Sequence, residues 1–425
     1  MGNSSSHRRK HRQQSHTQSH AKASISTVLQ GHPLEPTNEA AWISTNEEFL
    51  NVCAALHDAQ IFAFDTEFIG EETYYPNTCL IQVATTEMVA LIDPFKISDL
   101  TPLHELIANP KVTTIVHSGS QDLEPIARIL GKTPASIFDT QIAAGLIGFP
   151  WPISLTKIIK TILNHDVGGH FTFSEWDARP LTKRQLVYAA DDVRYLLAIH
   201  EHLKNQLEAL GRSDWSIEEF MSLTTMESYQ FNIKSTVKRI CRTKNPKKKE
   251  LQRIQSIVSL REKIAIEHNL PTRSIIPNEC IISLARQPVD SIDKLTSLKG
   301  FSKTSARKYG KQIIDAIDKS NTIEPVTLRK PNAIEGEVQT RQQLDGAWAL
   351  FGAWCVGTNL SPGLVANRST FTDWFLSLRD GEKTADSPLA KGWRCEAMSQ
   401  FAKMIQHNGM ITFLFDGKIQ AKSTS

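Results

Sequence analysis

The chain has 425 residues, 40% hydrophobic and 22% charged, with a mean hydropathy of −0.28. At roughly 100–200 residues per domain, this length predicts two to four domains, and the composition excludes wholesale disorder. No apolar run approaches the ~20 residues of a membrane helix, so no membrane partner is expected. The formal net charge of +3 points to no partner until its distribution is read. Residues 1–30 hold five basic residues and no acid, and residues 225–275 hold 12 Lys/Arg against 4 Glu. Set against a total of +3, these +5 and +8 segments leave the remainder at −10. The protein reads as an acidic body with two basic appendages.

In chain order, residues 1–35 read as a disordered basic tail. It is rich in Ser, His and Gln and lacks the apolar core of a secretory signal. Residues 40–210 alternate strand and helix patterns. Ile61–Phe68 predicts a strand bounded by Gly70, and Leu80–Ala84 with Val89–Ile92 predicts a hairpin around Thr86-Glu87. Val112–His117 predicts another strand. Asp122–Leu130 predicts a helix with Leu123, Ile126, Ala127 and Leu130 on one face. This mixture indicates an α/β domain with a sheet covered on both faces.

Residues 211–249 read as a helical connector ending in a basic linker from Asn245-Pro246. Residues 250–320 read as an all-helical unit with stripes at Leu251, Ile254, Ile257 and Val258, at Ile281, Leu284 and Ala285, and at Ile313, Ile314 and Ile317. Residues 321–340, with Pro325, Pro331 and Gly336, read as a second linker, and 341–418 as a further helical domain. Six cysteines without a CxxC pair, and no signal segment, argue against disulfides or zinc and for a cytoplasmic location.

Three clusters carry chemistry. In Phe64-Asp65-Thr66-Glu67-Phe68 the two acids lie two apart on a strand and face one side. Carboxylates emerging together from an apolar strand repel and are costly to desolvate, and Mg²⁺ or Mn²⁺ relieves that cost. In Tyr188-Ala189-Ala190-Asp191-Asp192, Tyr188 and Asp192 share a helical face. In His117-Ser118-Gly119-Ser120-Gln121-Asp122, a small-residue turn ends a strand and Asp122 begins the next helix. Each cluster alone is ordinary. Together, Asp65, Glu67, Asp122 and Asp192 with the phenol of Tyr188 make the donor set of a two-metal phosphodiesterase.

These segments resemble the ribonuclease D family. Asp65-Thr66-Glu67 with Thr73-Tyr74-Tyr75-Pro76 and Cys79-Leu80-Ile81-Gln82-Val83 is similar to its first exonuclease motif, and His117–Glu124 to its second. Asp139-Thr140-Gln141 matches a signature between motifs, and Arg179-Pro180-Leu181 leading to Tyr188–Val193 is similar to the third. Leu260-Arg261-Glu262, Asn269-Leu270-Pro271, Leu284-Ala285 and Lys308-Tyr309-Gly310 resemble an HRDC domain. Asn359-Leu360-Ser361-Pro362 and Gly392-Trp393-Arg394 resemble a second such domain.

The resemblance implies an RNase H-like α/β exonuclease domain followed by all-α HRDC-type domains. It implies hydrolysis of RNA from the 3′ end to nucleoside monophosphates with two divalent metal ions, and partners among transfer-RNA precursors and other small stable RNAs. Asp65, Glu67, Asp122 and Asp192 match its metal-binding acids, and Tyr188 the tyrosine that positions the nucleophile. The alternatives are a DNA 3′→5′ exonuclease on the same fold and a non-catalytic RNA-binding protein. Lys247, Lys248 and Lys249 with Lys299, Lys303, Arg307 and Lys308, the latter around a helix start capped by Ser302, are the candidate nucleic-acid contacts. Phe68, Tyr74, Tyr75 and Trp151 are candidates for base stacking. The chain departs from the family pattern at Glu175-Trp176, where Asp-Trp is usual, and at Gly169, beside His170, where a lysine is usual.

Overall fold

A computed structural model describes residues 32–168, 175–242, 244–328, 333–380, 387–406, 411–415 and 419–423. Nearly all of the tail expected over 1–35 lies outside these residues, as do Gly169 and His170.

Six strands form one mixed sheet: β1 (Ala41–Ile43), β2 (Ile61–Ile69), β3 (Asn77–Ala84), β4 (Val89–Ile92), β5 (Thr113–Val116) and β6 (Ser136–Asp139). Their spatial order is β1-β4-β3-β2-β5-β6. The hairpin partners β3 and β4 run antiparallel, as do β2 and β3, while β2, β5 and β6 run parallel. The period-2 alternation divides the faces. Phe62, Phe64, Ile81 and Val83 enter one core, and Ala63, Leu80, Ala84 and Leu91 the other.

The first face is covered by α1 (Asn46–Ala59), which supplies Phe49, Val52 and Leu56, and by α2 (Thr101–Ile107). Helices α3 (Glu124–Leu130), α4 (Thr140–Leu146) and α5 (Leu155–Leu163) extend that core. The opposite face is covered by α6 (Lys183–Arg194) through Ala189, Ala190 and Val193. A capping box starts α6, in which Gln185 N–H donates to Thr182 Oγ1 (3.2 Å) and Thr182 N–H donates to Gln185 Oε1 (2.9 Å). Helices α7 (Leu196–Ala209) and α8 (Ser213–Phe220) lead out of the domain.

The first helical unit comprises α9 (Ile233–Ile240), α10 (Lys248–His268), α11 (Thr272–Ile275), α12 (Asn278–Arg286), α13 (Ile292–Thr296) and α14 (Lys303–Asp318). Its core holds Ile254, Ile257, Val258, Ile281, Leu284 and Ile313. The second comprises α15 (Val338–Gly357), α16 (Pro362–Val365), α17 (Arg368–Asp380) and α18 (Gly392–Gln406). Both units grip the α/β domain. Phe351, Trp354, Phe371 and Trp393 of the second unit join the core of the first sheet face. The Arg212 guanidinium donates to the carbonyls of Leu146 (2.6 Å), Thr358 (2.6 Å) and Asn359 (2.5 Å), satisfying helix ends from both bodies at once. The first unit holds the loop after β2. Tyr74 Oη donates to Glu262, Tyr75 N–H donates to Asn269 Oδ1 (3.0 Å), and Arg273 donates to the Glu71 carbonyl (3.0 Å).

Three expectations are corrected. The helical reading to residue 418 ends at Gln406. Ile411–Phe415 (β7) instead pairs antiparallel with Ile419–Ser423 (β8), consistent with a β-branched and aromatic run followed by Asp416-Gly417. Lys248 and Lys249 stand in the first turn of α10, and not in a linker, because Glu250 accepts from Lys247 N–H (3.0 Å) and closes the helix start. Asp122 precedes its helix, which begins at Glu124 with Pro125 in the first turn. All six cysteines are free thiols, and among the described residues no helix is long and apolar enough to cross a membrane.

Candidate active site

Strand β2 carries Asp65 and Glu67 on the face that α6 covers. Asp65 stands opposite Gln82 of β3, and Glu67 opposite Leu80, with a register shift directly after Glu67. Both acids are half-buried in the second half of the strand, after the buried run Phe62–Phe64. Helix α6 presents Tyr188 and Asp192, one turn apart, to the same region, and the Tyr188 hydroxyl is hydrogen-bonded to Asp192. The neighbouring Asp191 turns the other way, toward the buried Arg194 (3.9 Å), which in turn donates to the carbonyls of Pro36 and Asn38. Position on the helix therefore separates two adjacent aspartates into one that faces the sheet and one that ties down the chain entering β1.

Asp122 is buried and sits in the turn after β5, where it accepts a hydrogen bond from the Thr66 hydroxyl. Asp139 shapes that turn. Its Oδ1 accepts from the backbone N–H groups of Ser118 (3.1 Å), Gln141 (2.8 Å) and Ile142 (3.2 Å), and its Oδ2 accepts from Gly119 N–H (3.1 Å). One carboxylate thus caps α4 and folds the loop that leads to Asp122. Ser118 adopts φ 62°, and a Cβ on Gly119 would lie 2.5 Å from the Val116 side chain, so only glycine fits this bend. His117 anchors the same segment, with Nδ1 2.9 Å from Thr140 Oγ1 and Nε2 3.0 Å from the Ile153 carbonyl.

The segment before α6 is fixed as firmly. Arg179 donates to both oxygens of Asp93 (3.0 and 2.8 Å) and to the carbonyls of Cys79 (2.6 Å) and Trp176 (2.8 Å). Trp176 is buried with its ring 6.2 Å from that of Tyr188. Asp139, His117, Arg179 and Trp176 carry no reacting group, and nothing local in the chain marks any of them for a role of its own. Their only signal is their place inside motifs whose acids stand out first.

The four acids perturb one another. Burial, then the charges of Asp122, Asp192 and Glu67, push the Asp65 carboxyl well above the usual range. Burial, then Glu67 and Asp191, do the same to Asp192. Burial and Asp122 lift Glu67 to about 8, and burial raises Asp122 against the opposing pull of the Thr66 hydroxyl. The Tyr188 phenol is pushed upward by burial and by Asp192, Glu67 and Asp65. Among the described residues no three His, Cys, Asp or Glu side chains close into a compact ligand cage. An all-oxygen donor set with this much unrelieved negative charge fits a hard divalent cation.

The seven basic candidates are placed elsewhere. Lys247, Lys248 and Lys249 lie exposed at the start of α10. Lys299 lies exposed before α14, and Lys303, Arg307 and Lys308 lie exposed along it. The aromatic candidates are partly committed to packing. Tyr74 bonds Glu262, the Tyr75 ring lies under the Arg128 guanidinium (4.4 Å), and Trp151 abuts Gly145 and Gly363 of α4 and α16.

Comparison with known proteins agrees with this geometry. A family model described as a 3′-5′ exonuclease matches residues 40–208, and an HRDC domain model matches residues 250–317. The chain is 31% identical over 375 residues to ribonuclease D of Bartonella henselae, covering 87% of this chain and 90% of that one. It is 28% identical over 362 residues to ribonuclease D of Escherichia coli K12, covering 84% and 96%. The crystal structure of Escherichia coli RNase D, described as an exoribonuclease involved in structured RNA processing, aligns with a TM-score of 0.71 at 27% identity, covering 87% of this chain and 100% of that one.

Two outcomes follow from the geometry. Glu67→Gln is expected to stabilise the metal-free protein by about 0.5–2 kcal/mol, the usual size of a relieved local conflict. A carboxyl raised from 4.5 to about 8 favours the fold in its protonated form below pH 4.5, and that contribution is lost as pH rises through 8. The gain should therefore widen between those limits in thermal melts, and a constant difference would contradict the assigned repulsion. Asp139→Ala is expected to lower catalytic turnover about 10–100-fold, as loss of a supporting hydrogen-bond partner does. Steady-state rates compared with Asp139→Asn, which keeps one acceptor oxygen, measure this.

Proposed function

Because the chain belongs to the ribonuclease D family, we propose that Asp65, Glu67, Asp122 and Asp192 together hold two divalent cations, Mg²⁺ or Mn²⁺, at the 3′-terminal phosphodiester of an RNA. The enzyme is a metal-dependent 3′→5′ exoribonuclease, a hydrolase. The observation that carries the site assignment is that four carboxylates from three separate elements act on one another, three of them also on the Tyr188 phenol, which is bonded to Asp192. When bound, the cations supply charge neutralisation at the attacking and leaving oxygens of the phosphodiester.

The chain's own groups divide the remaining work. Asp65 and Glu67 present oxygens from a rigid strand, so their separation is set by the pleat. Asp122 arrives on a turn fixed by Asp139, and Asp192 on a helix fixed by its capping box. Rigid placement of this kind lowers the reorganisation required at the moment of reaction. The pKa of Tyr188 is raised, so its phenol stays protonated at neutral pH. It serves as a hydrogen-bonding group that aligns the attacking water, and not as the base.

The substrates we propose are transfer-RNA precursors and other small stable RNAs with short 3′ extensions. The involvement of the Escherichia coli enzyme in structured RNA processing supports this reading. So do the lysines at the start of α10. Cations there stand against the positive end of the helix dipole, and a phosphate relieves that conflict. Lys299, Lys303, Arg307 and Lys308 are proposed as further backbone contacts from the second basic stretch of the same unit.

A 5′-labelled single-stranded RNA should yield a ladder shortening from its 3′ end with Mg²⁺ or Mn²⁺ and none with EDTA. Asp65→Ala should abolish it, and Tyr188→Phe should slow it about 10²-fold or more with the fold intact. Wild-type activity in Asp65→Ala would refute the site, and faster digestion of a matched DNA would refute the substrate class. Replacing Lys247, Lys248 and Lys249 by alanine should weaken RNA binding and reduce the salt slope, by roughly 0.7 per lost phosphate contact on single strands. An unchanged slope would remove these residues from the interface.

A further inference from the structure

Gln82 is fully buried in the middle of β3, and among the described residues neither its Oε1 nor its Nε2 has a hydrogen-bond partner. An unpaired carboxamide inside a sheet is costly, and an apolar side chain of the same size would avoid that cost. The position is informative because of what stands beside it. Gln82 pairs with Asp65 on one side and with Leu91 on the other. Residues directly opposite in an antiparallel pair project to the same face with Cβ atoms ~4.5–5.5 Å apart. Gln82 therefore rises from the sheet beside the Asp65 carboxylate, beneath α6.

Two residues beyond Leu91, the Asp93 carboxylate is taken up by Arg179. The core on this face includes Ala63, Leu80, Ala84, Leu91, Ala189 and Ala190. Glu67 is the diagonal neighbour, ~7–8 Å away across the ladder. Asp65 receives a hydrogen bond from the Thr66 backbone, Asp122 one from the Thr66 hydroxyl, and Asp192 one from Tyr188. Asp122 takes backbone hydrogen bonds as well, so of the three aspartates Asp65 is the one that shows backbone support without a side-chain donor.

We propose that Gln82 is a positioning residue for Asp65. In the metal-free protein the amide is unpaired; with the cation bound, its Nε2–H would turn to donate to one Asp65 oxygen and leave the other for the cation. This rests on the reading that Asp65 is a ligand for the divalent cation. Metal ligands are commonly oriented by such outer hydrogen bonds, whose loss weakens metal affinity about 10–100-fold.

The test is calorimetric titration of Mn²⁺ into the full-length protein without RNA, with unfolding temperature and steady-state kinetics measured on the same samples. Gln82→Met fills the same space without a donor, and Gln82→Glu keeps the shape but replaces the donor with an acceptor. Both should bind Mn²⁺ at least about tenfold more weakly and lose kcat while KM for RNA is retained. The unfolding temperature of metal-free Gln82→Met should stay level or rise, because the buried amide has no other partner. If either variant folds and its Mn²⁺ affinity and kcat remain within about twofold of wild type, well short of that loss, the proposal is overturned and Gln82 only fills space. Asp65→Asn is the control for the underlying reading: if it too leaves the Mn²⁺ isotherm unchanged, the ligand assignment itself fails, and not merely the role of Gln82.

Discussion

The site depends on one electrostatic conflict. Four carboxylates are held near one another where water is scarce, and each raises the proton affinity of its neighbours. Such a cluster does not assemble through its own interactions. It persists because every acid is mounted on a structure that is stable for other reasons: a central strand, a helix packed on that strand, and a turn folded around a buried capping residue. The stored repulsion is also what makes the site receptive to divalent cations.

Much of the molecule supports that arrangement. Asp139 commits its carboxylate to four backbone N–H groups and so determines where Asp122 stands. Arg179 joins Asp93, β3 and the segment before α6, which secures the helix bearing Tyr188 and Asp192. The helical units continue the same logic at larger scale. One holds the loop that follows β2 directly, through Tyr74, Tyr75 and Glu71, and the other shares the core of the first sheet face around Arg212. Tyr74 and Tyr75, which local sequence marks as candidates for stacking bases, also take part in the interdomain grip, through the Tyr74 hydroxyl and the Tyr75 backbone N–H.

Much of the fold was legible in the sequence because its signals are local. The hairpin Leu80–Ala84/Val89–Ile92 followed from two apolar runs and a polar turn, and the stripes of α10, α12 and α14 from helical spacing. Where reading failed, two local signals competed. Asp122 was expected to begin a helix, but the proline at 125 sets the first turn later. The lysines before Glu250 read as a linker because charge masked a helix start. The C-terminal hairpin was missed because its alternating residues directly follow a long helix.

By itself the sequence determined which side chains carry the chemistry: two acids two apart on an apolar strand, a tyrosine and an aspartate four apart on a helix, and one aspartate after a small-residue turn. Spacing along a single element sets which side chains share a face, and spacing is written in the chain. Only the tertiary structure decided that these elements meet, that Asp192 and not Asp191 faces the sheet, and that Asp139, Arg179 and Gln82 stand around the acids. Those relations join residues tens of positions apart through burial and hydrogen bonds, and they exist only once the sheet has closed under α6.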